Sequence, residues 1–261
     1  MMRESTNDLD YLVASLHGRR SRMAEGEKLE KLCRISNLTD LAGTIFPDTE
    51  FHGIIDLQQQ LVYRLAREIS FFTSYLAGSR ADLLDWMLMR FQVHNLKILV
   101  RAYITKTPVE EARKHLVPLP EELTLNTHVS ETVDSLAGFA GLIPKGRLRK
   151  NFEKTLEIHR DTPRPFFFEA ALDSGYFHEL LTRVNQLSGE EQEIIGPIVC
   201  QETDIFHLML VVRGKFHYGL APDLLLPFHV NGSGISRERL DAMLNDPEMG
   251  IAVERVLGRA V

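Results

Sequence analysis

At 261 residues, with 44% apolar and 25% charged side chains, the chain is long enough to bury a large core and has the composition of an ordinary soluble globular protein. A net charge of −6 supplies no overall attraction to phosphate, so composition does not point to nucleic acid as a partner. Cys33 and Cys200 stand far apart in no CxxC pair, which indicates a reduced, cytosolic compartment. The polar start MMRESTNDLD is no signal peptide, and the longest apolar run, residues 205–212, is too short to span a bilayer.

In chain order, residues 9–23 open with a stripe of Leu9, Leu12 and Leu16 and then turn basic at Arg19, Arg20 and Arg22. Residues 29–41 carry Leu29, Leu32 and Ile35, then Leu38 and Leu41, and Ser36 or Asn37 is placed to cap a short helix. Residues 54–76 predict a long helix, with Ile54, Leu57, Leu61, Leu65, Ile69 and Phe72 on one stripe. Gly78-Ser79 interrupts it, and a second long helix is predicted from Ala81 to about Thr105, long enough to suggest a bend. Thr107 as cap, Pro108 first inside and Glu110-Glu111 in the first turn mark another helix start.

A small helix is expected within residues 129–142, stopping at Ile143-Pro144. Residues 145–164 hold seven Lys or Arg against three Asp or Glu, a solvated linker or a contact for an acidic partner or anionic lipid headgroups. Phe166, Phe167 and Phe168 are expected in the core and lead a helix with Phe168, Leu172, Tyr176 and Leu180 in one stripe. Ser188 with Glu191 three residues on forms a capping box for the next helix, in which Pro197 introduces a kink. Residues 219–234 are loop-like, with a short ambiguous run at 224–230. Residues 240–249 form a third leucine-rich short helix that meets a proline. No sustained strand pattern occurs, and the fold class is all-α.

One stretch recurs. FQVHNLKILVR (residues 91–101) and TDIFHLMLVVR (residues 203–213) align on their last arginines, pairing Gln92 with Asp204, Asn95 with His207 and Arg101 with Arg213. Val93, Leu96, Val100 and Tyr103 share one stripe, as do Ile205, Leu208, Val212 and Phe216. Repetition over about a hundred residues predicts an architecture of repeated helical units, with approximate units 1–50, 51–165 and 166–261 in one all-α domain.

Chemistry-bearing motifs are sparse. There is no GxxxxGK[ST], no GxGxxG after a strand, no GxSxG elbow and no HExxH. No cofactor or metal is expected. A helical metal or ligand enzyme using His94, His207 and Asp204 is the weakest of three hypotheses. The candidate structural or partner-contact residues are Gln92, Asn95, Arg101, Asp204, His207 and Arg213. The arginines lie nine residues after Gln92 and Asp204, too far for direct pairing on one helix.

In their order and spacing, VHNLKILVRA (93–102), EAALDSGYF (169–177), residues 204–213 with the Gly232/Gly234 turn, and the opening YLVASLHGRRSRM resemble the C/d subunit family of V-type and A-type rotary ATPases. Gln92 stands where that family usually has Asp, and His207 where it usually has Asn. The resemblance implies a funnel of three pseudo-symmetric helical repeats, the last abbreviated in a chain this short. It implies a non-catalytic rotor adapter, peripheral on the cytoplasmic face of a membrane, between the central-stalk subunits and the proteolipid ring. It implies no nucleotide, no nucleic acid and no membrane span of its own. The alternative is a free-standing helical-repeat module that binds another protein.

Overall fold

A computed structural model describes residues 6–123 and 135–255, and these form helices joined by turns, with no strand among them. The chain divides into two compact units, one of Met1–Phe91 with Lys114–Thr124 and one of Gln92–Arg113 with Leu125–Val261.

The first unit contains α1 (Thr6–Arg20), α2 (Glu27–Cys33), α3 (Leu38–Ile45), α4 (Ile54–Thr73) and the beginning of α5 (Gly78–Thr105). Asn37 caps α3, its side-chain oxygen accepting the Asp40 N–H at 2.8 Å. Arg19 is drawn into the unit: its guanidinium lies 5.0 Å from the Phe71 ring and 4.7 Å from the Phe72 ring, and it pairs with Glu68 at 2.8 Å. Gln59 on α4 donates to the carbonyls of Lys114 and Leu116, which fastens the returning segment to this unit. The stripe predicted for α4 is covered only in part: Leu57 is buried and Ile69 and Phe72 are half-buried. Leu57, Ala66 and Thr73 are buried, whereas Ile54, Leu61 and Leu65 are exposed. Hydrophobic spacing marks an apolar face, but only a neighbouring element decides which part of it is covered.

The second unit contains the rest of α5, then α6 (Val109–Arg113), α7 (Leu136–Leu142), α8 (Arg147–Ile158), α9 (Pro165–Val184) and α10 (Gly189–Met209). The helix of α10 continues as a π-helical segment, Leu210–His217. It is followed by the short α11 (Pro222–Leu225), α12 (Arg237–Asn245) and α13 (Met249–Glu254). Of the small helix expected within 129–142, Leu136–Leu142 is helical, and the part around Val129 and Val133 lies outside the described residues.

The centre of this unit is α8 packed on α9. The basic run 145–164 is not a solvated linker: within it Leu148 and Phe152 are fully buried, and the Phe152 and Phe168 rings sit 5.3 Å apart. Gly175 permits the approach, because a Cβ there would stand 2.6 Å from the Leu148 Cα. Phe167 and Phe168 are buried as expected, while Phe166 is only half-buried.

The Ser188 N–H and hydroxyl both donate to the Glu191 carboxylate, at 3.1 and 2.6 Å, at the start of α10. Residues 205–212, too short alone to span a bilayer, sit within a 29-residue helix, Gly189–His217, whose length and mean hydropathy of 1.4 would suffice. A third of its apolar window is buried, and its Asp204 and His207 are bonded to the loop that follows. One side of the helix is thus held by the protein, and Ile194, Ile198, Ile205 and Met209 stay exposed along it.

The two motif copies bury faces that overlap at Asn95/His207, Leu99/Val211 and Ala102/Gly214 without coinciding. Val93, Leu96 and Val100 are buried in α5. In the second copy Ile205 is exposed, and the buried line runs through Phe206, His207, Leu210, Val211 and Gly214, rotated from the predicted stripe. The π-helical segment shifts the register as well. The Tyr218 N–H bonds the Arg213 carbonyl, five residues back, at 2.9 Å.

Candidate functional site

Two pairs of residues four apart set up the site. Lys97 and Arg101 share one face of α5, and Glu169 and Asp173 share one face of α9. Lys97 Nζ donates to both Asp173 oxygens at 2.8 Å. Arg101 donates to Glu169 Oε1 from Nε at 2.8 Å and from Nη2 at 2.7 Å. The lower-numbered base meets the higher-numbered acid, so the helices run antiparallel past each other at this contact.

Arg213, on the π-helical segment, approaches the other Glu169 oxygen at 3.8 Å, and its guanidinium lies 6.0 Å from the Phe166 ring centre. The two arginines aligned by the internal repeat thus converge on one carboxylate. Glu169 is only 6% exposed, whereas the Arg101 and Arg213 side chains are 54% and 41% exposed. The acid forms the floor and the bases reach outward. Burial pushes the Asp173 carboxyl above the usual carboxylate range, and the Lys97 ammonium opposes that shift.

Above Glu169 opens a cavity of about 440 Å³, walled by Arg101, Arg164 and Arg213 on its charged side and by Pro165, Phe166 and Leu220 on its apolar side. Thr105 and Tyr218 add hydroxyls. Gly214 keeps the apolar wall closed, since a Cβ there would meet the Leu225 side chain at 2.7 Å and the Phe166 ring at 3.0 Å.

The remaining residues singled out from the sequence go elsewhere. Asp204 Oδ1 accepts the Ile235 N–H at 2.9 Å, and His207 Nε2 accepts the Val230 N–H at 3.0 Å. Together they latch the 230–235 loop onto α10. The His207 ring stacks on His229 with centroids 4.9 Å apart. His207 is fully buried and its pKa is lowered to about 3, first by burial and then by the neighbouring His229 and His178. Asn95, at the aligned position in α5, is buried as well, and Gln92 is half-buried. His94 is exposed on α5 and forms no cluster with His207 and Asp204. No group of three His, Cys, Asp or Glu side chains able to hold a metal occurs among the described residues.

Glu169, Asp173, Lys97 and Arg164 are the site residues that sequence reasoning passed over. The signal was present in two four-residue spacings of opposite charge, Lys97/Arg101 and Glu169/Asp173, lying inside segments already singled out.

The sequence model of the ATP synthase (C/AC39) subunit family matches residues 12–259. The chain belongs to that family. It is 24% identical over 220 residues to the A-type ATP synthase C subunit of Methanocaldococcus jannaschii, covering 78% of this chain and 54% of the relative. It is 20% identical over 243 residues to the counterpart of that protein in Methanosphaera stadtmanae, covering 92% and 63%, and 23% identical over 260 residues to the one in Methanothermobacter thermautotrophicus, covering 95% and 65%. The chain therefore spans between about half and two thirds of the length of these C/AC39 relatives. The matched region takes in α5, α9 and α10, so the cluster around Glu169 lies inside the part that defines the family.

Proposed function

We propose that this chain is a non-catalytic rotor adapter of a V/A-type ion-translocating ATPase. In this reading it joins the central-stalk subunits to the proteolipid ring, peripherally, at the cytoplasmic face of a membrane. The observation that carries the reading is the family match over residues 12–259. Torque transfer requires elements that resist shear, and the close seating of α8 on α9 at Gly175 supports that requirement. Three pseudo-symmetric helical repeats, with units near 1–50, 51–165 and 166–261, belong to the same proposal. The convergence of Arg101 and Arg213 on Glu169 supports a pseudo-symmetric relation between the last two. Arg101 and Arg213, half-exposed at the cavity rim, are the residues of the candidate set best placed to meet a partner, while Asp204 and His207 support the loop behind them.

The test is recovery of the tagged chain from its native cells after mild-detergent solubilisation, read by mass spectrometry. Co-purification of stalk and proteolipid subunits is expected. Recovery from the soluble fraction with an unrelated protein, and with no ATPase subunit, would overturn the proposal and establish a free-standing binding module. One observation favours that second reading: Ile194, Ile198, Ile205 and Met209 form an exposed apolar line along α10.

A further inference from the structure

The cavity above Glu169 carries more positive charge than the fold itself uses. Three guanidinium groups line it against a single carboxylate, a formal surplus of two. Glu169 engages Arg101 Nε and Nη2 through one oxygen and leaves the other Arg101 nitrogen out of the pair. Arg213 stands 3.8 Å from the second oxygen, beyond hydrogen-bond distance. Arg164 is exposed and forms no ion pair among the described residues. Pro165 opens the 20-residue α9 at this wall, so the helix dipole adds partial positive charge on the same side. Tyr218 contributes a phenol beside the guanidinium groups, and the Phe166 and Leu220 side chains make one flank apolar.

Guanidinium forks match the planar geometry of carboxylate and phosphate oxygens, and a half-enclosed, partly apolar setting strengthens each such contact relative to open water. We infer that this cavity is a binding site for a multiply charged oxyanion held between Arg101, Arg164 and Arg213. A free solute and the acidic side chains of a partner polypeptide present the same chemistry, and both fit an opening of about 440 Å³. The charge surplus exists whether or not the chain acts in a rotary complex, so the test needs only the purified protein.

Isothermal titration calorimetry of the full chain with citrate, inorganic phosphate and a blocked tetraglutamate peptide, at constant ionic strength, measures the site. Saturable binding is expected for at least one of these probes. Arg164→Gln and Arg213→Gln should each weaken it about tenfold, as expected for loss of one charge-assisted fork. Arg160→Gln, an exposed arginine outside the cavity, should leave affinity unchanged. Arg164 forms no ion pair among the described residues, so its variant is expected to keep the fold, and a thermal melt of each variant verifies this. Binding of the peptide alone would assign the site to a partner polypeptide, and binding of citrate or phosphate alone to a solute. No binding by any probe, or binding equally sensitive to Arg160→Gln, would overturn the assignment.

Discussion

Arg101 places two donors on one oxygen of Glu169, at 2.7 and 2.8 Å, and leaves the other oxygen to Arg213. A nearly buried carboxylate depends here on a half-exposed arginine. Removing the base should cost more than a surface pair would, but less than a fully buried one, because solvent screens part of the interaction. Arg101→Gln is expected to destabilise the second unit by about 2 kcal/mol in urea unfolding. Glu169→Gln should cost less, since the arginines it releases remain hydrated. Equal losses for the two variants would contradict this asymmetry.

Lys97 and Asp173 form the neighbouring pair. Burial already raises the Asp173 carboxyl, and Lys97 opposes the shift. Lys97→Met should therefore move Asp173 further upward, visible as a higher midpoint in its carboxyl carbon NMR titration. The sign for stability follows. A carboxyl whose folded pKa is raised binds more protons folded than unfolded, so stability falls as pH rises from about 4 through the folded value. That decline should begin at the same pH in the variant and extend to a higher one.

His207 has the opposite dependence. The Val230 N–H occupies its Nε2, so the ring proton sits on Nδ1, and adding a second proton at Nε2 breaks the bond to the loop. With a folded pKa of about 3 against an unfolded value of 6.5, the folded state binds fewer protons between those limits. The contribution is fully present above the unfolded value and is lost as pH falls through the window, on the order of 5 kcal/mol over its full width. His207→Asn keeps a possible acceptor and removes the titration. The pH dependence of its urea midpoint between about 6.5 and 3 should flatten relative to the unmodified chain. An unchanged slope would show that another group controls acid sensitivity.

Gly175 tests the packing. A methyl group there would meet main-chain Leu148 at 2.6 Å, where backbone cannot yield without separating α8 from α9. Gly175→Ala should destabilise by about 3 kcal/mol, at the upper end for an added methyl in a close-packed core. Gly196→Ala, whose added Cβ would stand an ordinary 3.9 Å from a Val184 methyl, is the control and should change the thermal midpoint little.

The all-α class, the two long helices before residue 105, the Asn37 cap, the capping box at Ser188 and the burial of Phe167 and Phe168 were determined by local spacing and end chemistry. Such features act within one or two helical turns and are legible without neighbours. The internal repeat was legible too, and it led to Arg101 and Arg213. Which face each copy buries was not: Val93 is covered and its counterpart Ile205 is exposed, because burial depends on what packs alongside. Tertiary structure alone brought Glu169 beneath both arginines, 68 residues from the first and 44 from the second, a pairing that no local pattern encodes. It also separated the candidate residues, sending Asp204 and His207 to hold a loop and Arg213 to a cavity. A helix presents side chains in several directions at once, and only the elements packed around it decide what each direction meets.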